Sequence, residues 1–230
     1  MIFQFMVEEK AGIKTIDYNI NGAILCGYTG RDQEAVHKHI QELAKGGVDP
    51  PSTVPALYPK PPWGLTQTDT IQVEGQETSG EVEFFMLIDR SRIYVGVASD
   101  HTDRALERID IRKSKQVCPT ILSRNLWNYG EVKENWDQIQ IRSWATKDGN
   151  KSIYQESTLG SILPPEDLIG LVQQHLNDRI DGIALFSGTP PLLAGEMIFA
   201  DRFEGELLDA NLDRKITIGY GIHTLEWFKG

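Results

Sequence analysis

Ser79-Gly80-Glu81-Val82-Glu83-Phe84-Phe85-Met86-Leu87-Ile88 joins two carboxylates, two positions apart, to five consecutive apolar residues. In an extended chain, positions two apart share a face, so Glu81 and Glu83 point the same way. The apolar run predicts a buried strand. Two neighbouring carboxylates at such a place repel each other and lose hydration, at a cost on the order of several kcal/mol unless a cation compensates. A polar strand end in solvent has the same E-x-E pattern, so the surrounding chain has to decide between the two.

On both sides of this stretch the text reads as strand. Upstream lie IFQFMV, IKTIDYNI and, after the turn Asn21-Gly22, AILCGY. Around and after it come IQVEG, RIYVGVAS, GIALFSGTPP and KITIGYGI, and WDQIQIRSWATKDGNKSIYQEST predicts a hairpin turning at Asp148-Gly149. Helices are few. One is predicted over 31–45, with Ala35, Ile40, Leu43 and Ala44 inward and Gly46-Gly47 as its stop, and another over 165–177 behind Pro164 and Pro165. Strands and helices do not alternate as βαβ units, which argues against a doubly wound sheet. Six prolines between Pro50 and Pro62 are too dense for a helix or a central strand, and with Val54, Leu57, Tyr58 and Trp63 among them they predict a stiff loop packed across the body rather than a solvated tether.

Composition narrows the function classes. With 33 acidic and 23 basic residues in 230, the net charge is −10, which argues against a nucleic-acid backbone or an anionic membrane as main partner. No apolar run reaches the roughly 18 to 20 residues of a membrane span. The opening MIFQFMVEEK lacks a basic leader and reads as a strand rather than a signal peptide. Cys26 and Cys118 form neither a disulfide framework nor a zinc pattern, so a reducing cytoplasm is the expected location.

A second acidic cluster, Asp100-His101-Thr102-Asp103-Arg104-Ala105-Leu106-Glu107, follows the apolar strand IYVGVA. Asp100 therefore stands at a strand end. Glu81, Glu83 and Asp100 together offer three oxygen donors suited to a hard divalent cation, magnesium or manganese before zinc. Asp100 has an alternative use as N-cap of a helix over 101–109. Ser187-Gly188-Thr189-Pro190-Pro191 could bind an anionic group or be an ordinary turn, and Lys113 and Lys115 offer cations or mere surface charge.

Taken in order, these pieces resemble the fumarylacetoacetate hydrolase superfamily. The resemblance runs from Gly22 to Leu225 and is carried by His39-Ile-Gln-Glu42, the proline-rich stretch, Glu81-Val-Glu83, Asp100-x-x-x-Arg104, Lys115 before Cys118-Pro119, Gln155-x-x-Thr158, Gly188-Thr189-Pro190 and the closing Gly219-x-Gly221 with Leu225. The phrases TSGEVE, SDHTDR and SKQVCP resemble a divergent bacterial branch of unknown function. The resemblance implies a β-rich α+β fold, a β-sheet roll with few helices, in one domain over 1–230: strands and helix in 1–47, the proline-rich loop in 48–66, and a metal-binding body in 67–230. It implies a homodimer and Mg²⁺ or Mn²⁺ on Glu81, Glu83 and Asp100. It places Arg104, Glu107 and Thr189 at the substrate and Lys115 in the active site, with Lys113 as alternative. Glu107 stands where the family usually carries a glutamine. The stretch between Glu83 and Asp100 is short for the family, and the Asn-Tyr pair that usually precedes the histidine is replaced by Ala35-Val36.

The activity so implied is a metal-dependent hydrolase or lyase acting on a small 2-oxo acid or β-dicarbonyl compound, cleaving a carbon–carbon bond through a metal-stabilised enolate. His39, held by Glu42, would be the base that activates water, with His37 as a second candidate on the same helix. An exposed i,i+3 pair is the alternative use of His39 and Glu42. Decarboxylation, hydration or dehydration, and tautomerisation suit the same site, as does a non-catalytic relative that binds a small acid.

Overall fold

The computed structural model of the chain describes residues 1–45, 50–90, 92–177 and 179–227. Side chains at 39, 42, 43 and 45 lie outside that description, as does the expected helix stop at Gly46-Gly47. In chain order the elements are strands β1 (Ile2–Glu9), β2 (Gly12–Asn19) and β3 (Gly22–Gly27), helix α1 (Gln33–Lys45), strands β4 (Ala56–Lys60), β5 (Leu65–Thr66), β6 (Thr70–Val73), β7 (Thr78–Ser79), β8 (Val82–Asp89), β9 (Arg92–Asp100) and β10 (Thr102–Asp103). Helices α2 (Arg104–Glu107) and α3 (Ile111–Val117) follow, then β11 (Thr120–Leu122), β12 (Asn125–Asn128), α4 (Tyr129–Val132), β13 (Gln140–Lys147), β14 (Asn150–Thr158), α5 (Pro165–Gln173), β15 (Ile183–Phe186), β16 (Arg202–Asp209) and β17 (Arg214–Thr224). The fold is β-rich with few helices, as the sequence pattern predicts.

The strands form two main sheets. The larger runs β2-β1-β12-β9-β8-β15-β3-β4, with β11 continuing from the far half of β9 and β5 beyond it; the smaller runs β14-β13-β16-β17-β6. One core lies between the sheets and takes Phe84 and Met86 from β8 with Phe203 and Tyr220 from the smaller sheet. A second core, with Phe5, Phe85, Leu87 and Phe186, lies on the other face of the large sheet. That sheet curls until its own strands cover this face. Phe5 of β1 reaches Phe85 of β8, ring centroids 6.2 Å apart, although β12 and β9 lie between the two strands. This explains why Phe84 to Ile88 show no alternation: both faces of β8 are covered, so both sets of side chains are apolar.

The close packing of β8 against β9 has a measurable consequence. Gly96 pairs with Phe85, and a Cβ at Gly96 would stand 2.4 Å from Phe85 Cε1 and 2.7 Å from Leu126 Cδ2. Gly96→Ala is therefore expected to lower the unfolding free energy by about 1–3 kcal/mol through overpacking. A reduced urea midpoint with an unchanged slope would register it.

Three local expectations need correction. The proline-rich stretch is not all loop: Ala56–Lys60 is a strand at the sheet's edge, paired among the described residues with β3 on one side. An edge strand tolerates Pro59, which has no N–H to donate, and alternation turns Ala56, Tyr58 and Lys60 inward. Helix α1 starts at Gln33 because Asp32 accepts the Ala35 N–H, and among its described side chains Val36 is buried while Ala35 and Ala44 are exposed. Helix α5 ends at Gln173, four residues short of the expected end. The predicted hairpin is present, with Asp148 and Gly149 both at positive φ in the turn between β13 and β14. No helix among the described residues is long and apolar enough to cross a membrane.

Candidate metal centre

Strands β8 and β9 pair antiparallel with Val82 opposite Ser99, and the Asp100 N–H donates to the Glu81 carbonyl oxygen at 3.0 Å. That register sets Glu81 across from Asp100, and the two-residue pleat brings Glu83 to the same side. Glu81, Glu83 and Asp100 each offer a carboxylate oxygen within 4.8 Å of the other two. An ion with oxygen ligands at about 2.0–2.6 Å spans such a set. Asp100 is 0 % and Glu83 2 % exposed. Among the described residues Asp100 Oδ2 has no hydrogen-bond partner; Lys115 Nζ stands 2.7 Å from it as an ion pair but out of hydrogen-bond alignment. A buried, all-oxygen donor set with one such oxygen fits a hard divalent cation, and the triad could hold one. Asp100 is not spent on capping a helix. Asp103 takes that role for α2, accepting the Leu106 N–H at 2.8 Å.

Two cations flank the carboxylates. Asp110 caps α3 at the Lys113 N–H, and one face of that helix turns Lys115 inward. Lys115 Nζ meets Glu81 Oε2 at 2.9 Å and donates to Thr102 Oγ1 at 3.1 Å. Lys113 instead pairs with Asp110 at the surface. Arg104 is engaged on three sides: Nη2 3.0 Å from Glu81 Oε1, Nη1 2.8 Å from Glu107 Oε2, and Nε donating to Ser79 Oγ at 2.8 Å. These contacts split the carboxyls. Burial pushes Glu81 up, but Arg104 and then Lys115 outweigh it and hold the group at about 2. Burial, and next the Asp100 charge, push Glu83 well above the ordinary carboxylate range. Burial opposes the Lys115 ammonium, yet Asp100 and Glu81 raise its pKa well above that of an ordinary lysine.

The loop after β15 closes the far side. Gly188 donates its N–H to Glu83 Oε2 at 3.1 Å, at a φ of 82° and with Thr29 Oγ1 only 2.6 Å from where a Cβ would stand, so glycine is required there. Thr189 Oγ1 donates to the Val82 carbonyl at 2.9 Å and accepts from Gln155 Nε2 at 2.6 Å. Its proton is therefore already committed inside the protein.

The expected base pair, His39 and Glu42, lies on α1 with its side chains outside the described residues. His37 is exposed, its Nδ1 2.6 Å from the Gln33 carbonyl oxygen of its own helix. The sequence pattern missed three groups. His101 is fully buried, with ring nitrogens against Tyr220 Oη at 3.0 Å and Thr78 Oγ1 at 2.9 Å, and burial, then Arg104, lower it to about 3. It braces the fold as a neutral imidazole. Lys60 and Thr120 stand behind Asp100, and a lysine between prolines carries no sequence signal of burial.

The family model described as a protein of unknown function (DUF2848) matches residues 26–220. The chain belongs to that family. No curated protein matches the sequence. Among solved structures, a Yersinia pestis CO92 protein assigned to the fumarylacetoacetate hydrolase family is 18% identical, with TM-score 0.65, over 96% of this chain and 100% of its own. The yeast fumarylacetoacetate hydrolase family protein ynq8 is 17% identical, with TM-score 0.59, over 89% of this chain and 94% of its own. A 2-keto-3-deoxy-D-arabinonate dehydratase complexed with magnesium and 2,5-dioxopentanoate is 14% identical, with TM-score 0.64, over 94% of this chain and 78% of its own. At these identities the likeness shows the fold, which is that of fumarylacetoacetate hydrolase family proteins.

Proposed function

We propose that Glu81, Glu83 and Asp100 hold Mg²⁺ or Mn²⁺ and that the protein is a metal-dependent hydrolase or lyase of a small 2-oxo acid or β-dicarbonyl compound. The observation that carries this reading is the convergence of three carboxylates, two of them buried, on a spot where Asp100 Oδ2, ion-paired with Lys115, has no hydrogen bond among the described residues. The magnesium and 2,5-dioxopentanoate of the dehydratase neighbour support it. A divalent cation held there would supply a Lewis acid to polarise the carbonyl of a bound oxo acid. Lys115 keeps fixed positive charge beside the cluster, where a substrate oxygen that gathers negative charge is stabilised. Arg104 holds Glu81 in place and, with Glu107, borders the substrate. Thr189, whose hydroxyl proton goes to Val82 and whose oxygen already accepts from Gln155, is left to meet a substrate carboxylate through its backbone N–H. His39, with Glu42 as its partner, would take a proton from the water that attacks the carbonyl; the carbon–carbon bond breaks as the adduct collapses, and the departing enolate carbon takes that proton back from His39.

The test is a screen of small oxo acids with and without Mg²⁺ or Mn²⁺, followed by His39→Ala on any substrate turned over. The expected result is a fall in kcat of roughly 10²-fold with metal affinity unchanged. An unchanged kcat removes water activation by His39 and favours the second reading, elimination of water from a hydroxylated oxo acid, which the dehydratase neighbour supports.

We also propose a homodimer. Trp63, 68% exposed, and Val54 give the proline-rich stretch an apolar surface suited to a second copy, and twofold dimers are the commonest assembly. Light scattering is expected to give twice the 25.9 kDa chain mass, and the single-chain mass would refute the dimer.

A further inference from the structure

Lys60 is a third buried cation near the carboxylates, 3% exposed at the end of the edge strand β4. Its Nζ donates to the Cys118 carbonyl oxygen at 2.7 Å and to Thr120 Oγ1 at 2.9 Å. Thr120 Oγ1 in turn lies 3.1 Å from Asp100 Oδ1, across the β9–β11 register that pairs Thr120 with Asp100. An ammonium has donors only, so Thr120 Oγ1 accepts from Lys60 and must send its own proton to Asp100 Oδ1. One Asp100 oxygen is thus held as an acceptor, while Oδ2 has no hydrogen-bond partner among the described residues and is met by the Lys115 ammonium as an ion pair at 2.7 Å. The room for the lysine is built in: its stem crosses Gly64, where a Cβ would stand 2.6 Å from Lys60 Cε. Burial lowers the Lys60 pKa, and the Asp100 charge works against that lowering.

We infer that Lys60, acting through the Thr120 hydroxyl, is a positioning residue that fixes the rotation of the Asp100 carboxylate and presents Oδ2 to a divalent cation. This rests on the metal reading above and adds to it a residue from the proline-rich segment. The relay fixes direction as well as distance. A hydroxyl turned by a lysine cannot turn its proton away from Asp100, so the carboxylate does not rotate to bring both oxygens into protein hydrogen bonds. Partners of this kind, one bond removed from a metal ligand, typically contribute about 10–100-fold in metal affinity.

The experiment is calorimetric titration of Mn²⁺ into the metal-free full chain and its variants, with metal-free melting temperatures recorded alongside. Thr120→Val keeps the shape and removes the hydroxyl; it is expected to weaken Mn²⁺ binding by about 10–100-fold. Thr120→Ser, which restores the hydroxyl, is expected to bind within about threefold of wild type. Lys60→Met is expected to match Thr120→Val, and the double variant to be no weaker than the weaker single, because both cut one relay. If Lys60→Met does not fold, the Thr120 pair decides alone. Thr120→Val binding as tightly as wild type, or Thr120→Ser as weakly as Thr120→Val, overturns the inference. A wild-type protein that binds no Mn²⁺ overturns the metal reading itself and this inference with it, a result distinct from either of those.

Discussion

Glu83→Gln is expected to erase the stabilisation of the protein by Mg²⁺ or Mn²⁺ while leaving the metal-free protein as stable as wild type, or more so. The two halves have one cause. Glu83 is buried beside Asp100, and burial first, then that neighbouring charge, push its carboxyl well above the ordinary range. A cation relieves this cost when bound, and glutamine removes it permanently. Glutamine keeps an oxygen to accept the Gly188 N–H, so the fold loses no hydrogen bond. At a metal concentration 100 times the Kd, wild type should gain about 2.7 kcal/mol and the variant close to none. Thermal melts with and without metal measure both quantities. A variant that still responds to metal like wild type would remove Glu83 from the ligand set.

The second large effect concerns Lys115. Lys115→Met leaves Glu81 and Asp100 without the ammonium that lies 2.9 and 2.7 Å from them. Breaking a buried pair from one side typically costs about 3–5 kcal/mol, because the remaining charges stay buried. The loss is expected in the metal-free protein at neutral pH and should shrink when Mg²⁺ or Mn²⁺ is added, since a cation at the cluster replaces the missing charge. Urea midpoints in the presence and absence of metal check it. A variant as stable as wild type without metal, or one that gains nothing from metal, would contradict the assignment. Acid gives a further sign. Glu81 is held at about 2, below its ordinary value near 4.5, so it stabilises the fold above 4.5 and that stability is lost as pH falls from there toward 2. Glu83 is raised, so its contribution runs the opposite way and is lost as pH rises through its elevated value. In Lys115→Met the acid-labile stability from Glu81 should diminish, because Lys115 is one of the two cations that depress it.

Much of this site could be read from the linear text because its parts are local. The two-residue spacing of Glu81 and Glu83 is a property of any strand, and the apolar run behind them marks that strand as buried on both faces. The hairpin at Asp148-Gly149 was legible for the same reason: two residues that tolerate positive φ specify the turn without outside help. The limits of helix α1 and its buried face were less so. The choice of Val36 over Ala35 and Ala44 depends on Gly30, whose missing side chain leaves room for Val36 Cγ2.

Other features were decided by which strands meet. Local pattern is enough to specify a β-rich chain, a carboxylate pair on one strand face, a third carboxylate at a strand end and a lysine nearby. Long-range packing sets the rest: it turns Asp100 to the cluster instead of a helix cap, Lys115 rather than Lys113 inward, and Glu107 onto Arg104. It also turns five residues of the proline-rich segment into an edge strand that carries Lys60 to the back of Asp100. The physical reason is that spacing and hydrophobic alternation act over a few residues, whereas the partner of a buried charge is set by sheet register. Thr120 and Asp100 are 20 residues apart and meet through the β9–β11 register, whereas Lys60 and Thr120 are 60 apart on distant strands of one sheet, and its curling brings Lys60 within hydrogen-bond distance.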